Sequence, residues 1–124
     1  QAQVNQFAEA TGDHQWIHVD TDRARAGPFG APIAHGFLTL SLLPVFFESA
    51  MAIRQSAMGV NYGLNRVRFT APVPVGSRQR GHLTLAAIEA IDRGGRQMTW
   101  SVSVEREGSE KPVCLAESLV RRYP

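Results

Sequence analysis

Asp13 and His18 stand five positions apart in the segment Ala10-Thr-Gly-Asp-His-Gln-Trp-Ile-His18. The segment has no helical or strand period, so both side chains are free to converge on one point. A carboxylate and an imidazole that share a water form an acid/base pair, able to take a proton and return it. Further along, His35-Gly36 opens an apolar stretch. The first amides of a helix are unpaired donors, and Gly36 has no side chain to block an oxygen approaching them. Such amides can hold a carbonyl oxygen that gains negative charge during a reaction. Each residue also has a plainer reading. Asp13 follows Gly12 and suits a turn or a cap. His18 suits a hydrogen-bonded loop histidine. His35 either caps and packs or takes part in chemistry, and the two readings weigh equally. Ser41, inside the apolar stretch, by default bonds back to a carbonyl one turn earlier. The offset between Asp13 and His18 favours catalysis over turn formation. Asp13, His14, His18 and His35 match no helical zinc spacing and no cysteine joins them, so no metal is expected. His14 and His82 read as surface or structural residues.

The elements that must position these groups follow from periodicity. Val4, Phe7 and Ala8 recur at helical spacing in residues 3–10, and Thr11-Gly12-Asp13 ends that helix. Residues 13–34 read as one irregular loop punctuated by Gly27-Pro28, Gly30 and Pro32. A loop of this length in a small domain is more often functional than not. Residues 35–53 are apolar nearly all round, the pattern of a buried helix, with Pro44 marking a kink. The period then changes to two. Met98, Trp100, Val102 and Val104 alternate with Gln97, Thr99, Ser101 and Ser103. Similar runs fill about 58–70, 78–91 and 113–122, separated by turn signals at Pro72–Gly76, Asp92–Gly95, and Gly108 with Pro112. One buried helix followed by four antiparallel strands is an α+β class, with the sheet wrapped around the helix.

The chain has 124 residues, a net charge of +2 and 44% hydrophobic residues, which fits a single domain, 1–124, with its own core. Twelve arginines and Lys111 are scattered, which excludes a nucleic-acid tail and a polybasic membrane segment. No apolar run reaches the roughly 18 residues that span a bilayer. Cys114 has no internal partner, which suits a reducing compartment, and reads as a small buried apolar residue. Arg66, Arg68, Arg78 and Arg80 read as solvated strand faces, or as a positive rim for an anionic ligand.

Phe7-Ala-Glu-Ala-Thr-Gly-Asp13-His-Gln-Trp-Ile-His18, with Ala34-His35-Gly36, resembles the MaoC-like dehydratases, which include the (R)-specific enoyl-CoA hydratases. Asn61–Phe69 and Pro72-Val-Pro-Val-Gly76 extend the resemblance over essentially the whole chain, closest to the nodulation-protein-N-like subgroup. The resemblance implies a hot-dog fold, an antiparallel sheet around a long central helix. It implies a cytoplasmic homodimer acting on acyl-CoA thioesters, without nucleic-acid or membrane partners. No cofactor is implied beyond the coenzyme A carried by the substrate. It implies hydration of trans-2-enoyl-CoA to (R)-3-hydroxyacyl-CoA. Asp13 matches the base, His18 its acid/base partner and Gly36 the oxyanion-hole glycine. His35, Gln15 and Ser41 match supporting positions, and Trp16 and Phe37 become candidate walls of the acyl pocket. The family's Asn-Pro between Asp and His is Gln15-Trp16 here. The family also has a strand before the first helix, which is expected to be missing from this sequence. A hot-dog thioesterase and a non-catalytic acyl-thioester-binding subunit are the alternative functions. The same fold serves them all.

Overall fold

A computed structural model describes all 124 residues. Helix α1 (Ala2–Thr11) buries Val4 and Ala8, as the spacing requires. Gly12 ends it with φ 79°, a left-handed conformation that favours glycine, and its amide donates to the Ala8 carbonyl at 2.8 Å.

The long loop expected over 13–34 is not all loop. It contains two short helices, α2 (Trp16–Val19) and α3 (Thr21–Arg25). Asp20 caps α3, its side chain accepting from the Arg23 amide at 3.1 Å. Helices of four and five residues are too short to print a 3.6-residue period. His18 therefore sits on a helical turn.

The apolar stretch 35–53 is not one continuous helix. It forms α4 (Gly36–Ser41) and α5 (Leu43–Ala50). Leu42 bonds back only three residues, to the Thr39 carbonyl at 3.2 Å, and Pro44 has no amide to donate. Regular bonding resumes with the Phe46 amide on the Leu42 carbonyl at 3.2 Å. Nor is this pair of helices buried all round. Phe37 and Val45 face outward, with Phe37 68% exposed, while Leu38, Thr39 and Leu43 are buried.

Four strands follow close to the expected spans: β1 (Met58–Phe69), β2 (Gln79–Ala90), β3 (Arg96–Arg106) and β4 (Pro112–Tyr123). They form one antiparallel sheet in the order β1-β4-β3-β2, so β1 and β2 are its edges. The inward side of β3 is the alternating set read from the sequence: Trp100, Val102 and Val104 are buried. They join Val113, Cys114, Ala116 and Val120 of β4 in one core cluster with Leu43 and Val73. Leu40, Phe46 and Phe47 pack against this cluster, and Phe47 meets Trp100 edge-on with ring centroids 5.3 Å apart. The pair α4 and α5 thus packs against one face of the sheet through the core cluster. No helix is long and apolar enough to cross a membrane.

Cys114 is fully buried, and that burial pushes its thiol pKa up. A thiol-reactive disulfide reagent should leave the native protein unlabelled and modify it once guanidinium unfolds the chain. Rapid stoichiometric labelling of the folded protein would contradict this packing.

Candidate active site

Three short segments meet at the start of α4, two of them neighbours in the sequence and the third from residue 35. His18 comes from α2, Asp13 from the turn after α1, and His35 from the residue before α4. Their ligating atoms lie within 4.8 Å of one another. One water can bridge groups at that separation, since each hydrogen bond spans about 2.8 Å. The structure therefore brings together the pair singled out by sequence spacing and adds His35 to it.

Each group is held from behind. His18 is 6% exposed and its Nδ1 lies 2.6 Å from the Ile33 carbonyl. A carbonyl can only accept, so Nδ1 carries the proton and Nε2 of the neutral ring is left as an acceptor. His35 is 3% exposed, and its Nε2 donates to the backbone carbonyl of Asp13 at 2.9 Å. The two imidazoles stack with centroids 3.8 Å apart, and Phe7 packs on His35 at 4.9 Å. His35 thus serves packing and positioning, pinning the Asp13 turn to the head of α4. The Asp13 carboxylate is half-exposed. Its Oδ1 accepts from the Gln15 amide at 3.3 Å, and its Oδ2 lies 4.0 Å from His35 Nε2. That leaves it open to water on its outer side.

The Asp13, His18 and His35 cluster has the composition of a metal site, which sequence spacing did not suggest. Its geometry suits proton transfer better than coordination. Stacked rings send their lone pairs out in nearly parallel planes, so they do not meet at one ion. The carbonyls engage His18 Nδ1 and His35 Nε2, which leaves His18 Nε2 and His35 Nδ1 as the free ring nitrogens.

A cavity of about 340 Å³ opens beside this group. His18, Gly36 and Thr39 form its polar wall. Ile33, Phe29, Phe69, Val73 and Val113 form an apolar one, which is suited to a hydrocarbon chain. Gly36 permits a close approach here. A Cβ at this position would lie 2.7 Å from the Phe69 ring.

The remaining expected residues fall elsewhere. Trp16 packs against Gly27 and under the Arg23 guanidinium, 4.4 Å from its ring centroid, and does not line the cavity. Phe37 is exposed, edge-on to Phe69 at 5.6 Å, and is also outside the lining. Ser41 donates to the Leu38 carbonyl at 2.7 Å and faces a different cavity with Asn61, Leu64 and Ser118. It takes the plain helical reading and lends Asp13 no support. Gln15 contributes its backbone amide rather than its side chain. Arg78 pairs with Glu107 at 3.7 Å, and Arg80 with Glu105. The Arg80 hydrogen bond and then His82 pull the Glu105 carboxyl below its usual range. Thr39, Phe69, Phe29 and Ile33 were not anticipated. Thr39 alone left a signal, standing three residues after Gly36 on the same helical face.

An antiparallel sheet packed against a central pair of helices is the hot-dog architecture. Residues 1–107 match the MaoC like domain. The chain is 57% identical to 3-hydroxyacyl-thioester dehydratase Z of Mycobacterium tuberculosis over 98% of its own length and 80% of that protein's. It is 50% identical to Nodulation protein N of Rhizobium meliloti, over 94% and 73% respectively. The fold matches an (R)-hydratase from A. caviae at a TM-score of 0.79 and 23% identity, covering 99% of this chain and 86% of that one. The chain belongs to the MaoC-like dehydratase family. That membership places it among the hydro-lyases, enzymes that add or remove water across a carbon–carbon double bond.

Proposed function

We propose that the protein adds water to trans-2-enoyl thioesters to give (R)-3-hydroxyacyl thioesters, and catalyses the reverse dehydration. The observation that carries this reading is the convergence of Asp13, His18 and His35 within 4.8 Å, beside a cavity with one polar and one apolar wall. The acyl chain lies along Phe29, Phe69 and Val113, and the thioester carbonyl faces Gly36. Asp13 and His18 take one proton from the bound water as its oxygen bonds to C3. The electron pair of the double bond moves toward the thioester oxygen, where the Gly36 amide stabilises the developing charge. The pair then delivers a proton to C2, so both parts of the water end on the product. His35 keeps the Asp13 turn in register without touching the substrate. The chemistry needs no cofactor, the carrier is coenzyme A, and the working unit is a cytoplasmic homodimer.

The test is loss of enoyl absorbance with crotonyl-CoA and longer enoyl-CoAs, with the product's chirality determined. Formation of the (R)-alcohol supports the reading. Release of free thiol from saturated acyl-CoA without hydration of any enoyl-CoA would replace it with a thioesterase. Binding without turnover on every chain length would replace it with a carrier subunit.

Gly36→Ala probes the cavity wall. The new methyl forces the Phe69 ring aside, and Phe69 is 43% exposed and able to swing outward. The melting temperature should fall by a few degrees, in keeping with about 1 kcal/mol of overpacking. The kcat/KM for hydration should fall at least about tenfold, because small misplacements of a reacting group are costly. Unchanged kinetics would remove Gly36 from the substrate path.

A further inference from the structure

Thr39 carries a buried hydroxyl that the fold leaves unused. The residue is 2% exposed, and its Oγ1 has no hydrogen-bond partner. Three other helical hydroxyls behave differently. Thr11 donates to the Phe7 carbonyl at 2.7 Å, Ser41 to Leu38 at 2.7 Å and Ser49 to Phe46 at 2.9 Å. That back-bonding is the default for a hydroxyl on a helix. A buried polar group left without a partner is costly, so a site that retains one calls for a reason. Thr39 lines the cavity together with His18 and Gly36 and stands one turn beyond Gly36 on the same helical face.

We infer that the Thr39 hydroxyl is a second donor to the thioester oxygen, completing with the Gly36 amide a two-donor hole for the enolate. This rests on the thioester reading above. An enolate oxygen has several lone pairs, and a single amide leaves it under-satisfied. The water is served by Asp13 and His18, and Asp13 lies outside the cavity lining that contains Thr39. The hydroxyl is therefore matched to the carbonyl end of the substrate. As a group that touches the reacting atoms, Thr39 is a catalytic residue.

The test compares Thr39→Val, which keeps the shape and removes the donor, with Thr39→Ser, which keeps the donor. For Thr39→Val, kcat should fall roughly hundredfold with KM changed only a few-fold, the pattern for a donor that matters most in the transition state. Thr39→Ser should recover most of the rate. Thr39→Val should melt no lower than wild type, since it removes an unsatisfied buried oxygen. A second readout does not need turnover. The infrared carbonyl stretch of bound butyryl-CoA should move to lower frequency in wild type and in Thr39→Ser, and by less in Thr39→Val. Full activity and an unchanged carbonyl shift in Thr39→Val would overturn the assignment. So would equal losses in both variants, which would mark a packing role, or a wild-type carbonyl with no shift. Should wild type fail to hydrate any enoyl-CoA, the hydratase reading falls, and the carbonyl shift still decides for or against Thr39.

Discussion

Asp13→Asn should lower hydration of crotonyl-CoA by roughly a hundredfold or more while leaving the fold intact, because proton transfer by a positioned side chain is worth about that much. The substitution is nearly isosteric. The amide oxygen can still accept from the Gln15 backbone, as Oδ1 does at 3.3 Å, so the turn survives. His35 grips the backbone carbonyl of Asp13, which the substitution does not touch. What disappears is a group that can accept a proton from water. KM should change little, because the carboxylate is half-exposed and Asp13 does not line the cavity. The check is a kcat measurement beside a thermal melt and a circular dichroism spectrum. Near-wild-type turnover by a correctly folded Asp13→Asn would move the base elsewhere. His18 would be the only other member of the pair left to supply it.

Trp100→Ala should cost about 3–5 kcal/mol of stability, the range for deleting a large buried aromatic. Trp100 is 7% exposed in the middle of β3, and its ring carries the edge-on contact with Phe47 of α5. Removing it opens a cavity under the helix and deletes the aromatic pair that fixes the helix on the sheet. The loss is a large part of the roughly 5–15 kcal/mol that holds a domain of this size together. A denaturant titration should show the midpoint falling sharply with an unchanged slope. A change under about 1 kcal/mol would mean that Phe47 and Met98 close the gap, and that the core is softer than its packing implies.

The same tryptophan shows why much of the fold was legible in the sequence. In β3 a residue's position in the alternation decides its side of the sheet, and Trp100, Val102 and Val104 all take the inward side. Asp13 and His18 were legible because their offset is local and short. The structure had only to fold a small turn and α2 to join them. The misreadings were of two kinds. α2 and α3 were lost because a single helical turn has no period to detect. Trp16, Phe37 and Ser41 were misplaced because residue type tells what a side chain can do and not which way it points. Trp16 turns to Gly27 and Arg23, Phe37 turns outward, and Ser41 satisfies itself on Leu38. Phe69 and Val113 were out of reach for a further reason. They enter the cavity from strands far along the chain, and only the sheet register brings them there.

The interruption at Leu42 and Pro44 gives the apolar stretch two jobs. Residues before it, Gly36 and Thr39, belong to the cavity. Residues after it, Leu43, Phe46 and Phe47, belong to the core. A continuous rod would transmit every change at its head to the packing at its tail. A jointed one partly insulates them. The two groups share Val73 and Val113, which line the cavity and also sit in the core cluster, so any departure from additive stability between Gly36 or Thr39 and Phe47 or Trp100 should run through those two residues. The joint separates the cavity-lining residues of α4 from the core-packing residues of α5, and leaves Val73 and Val113 as the physical link between pocket and core.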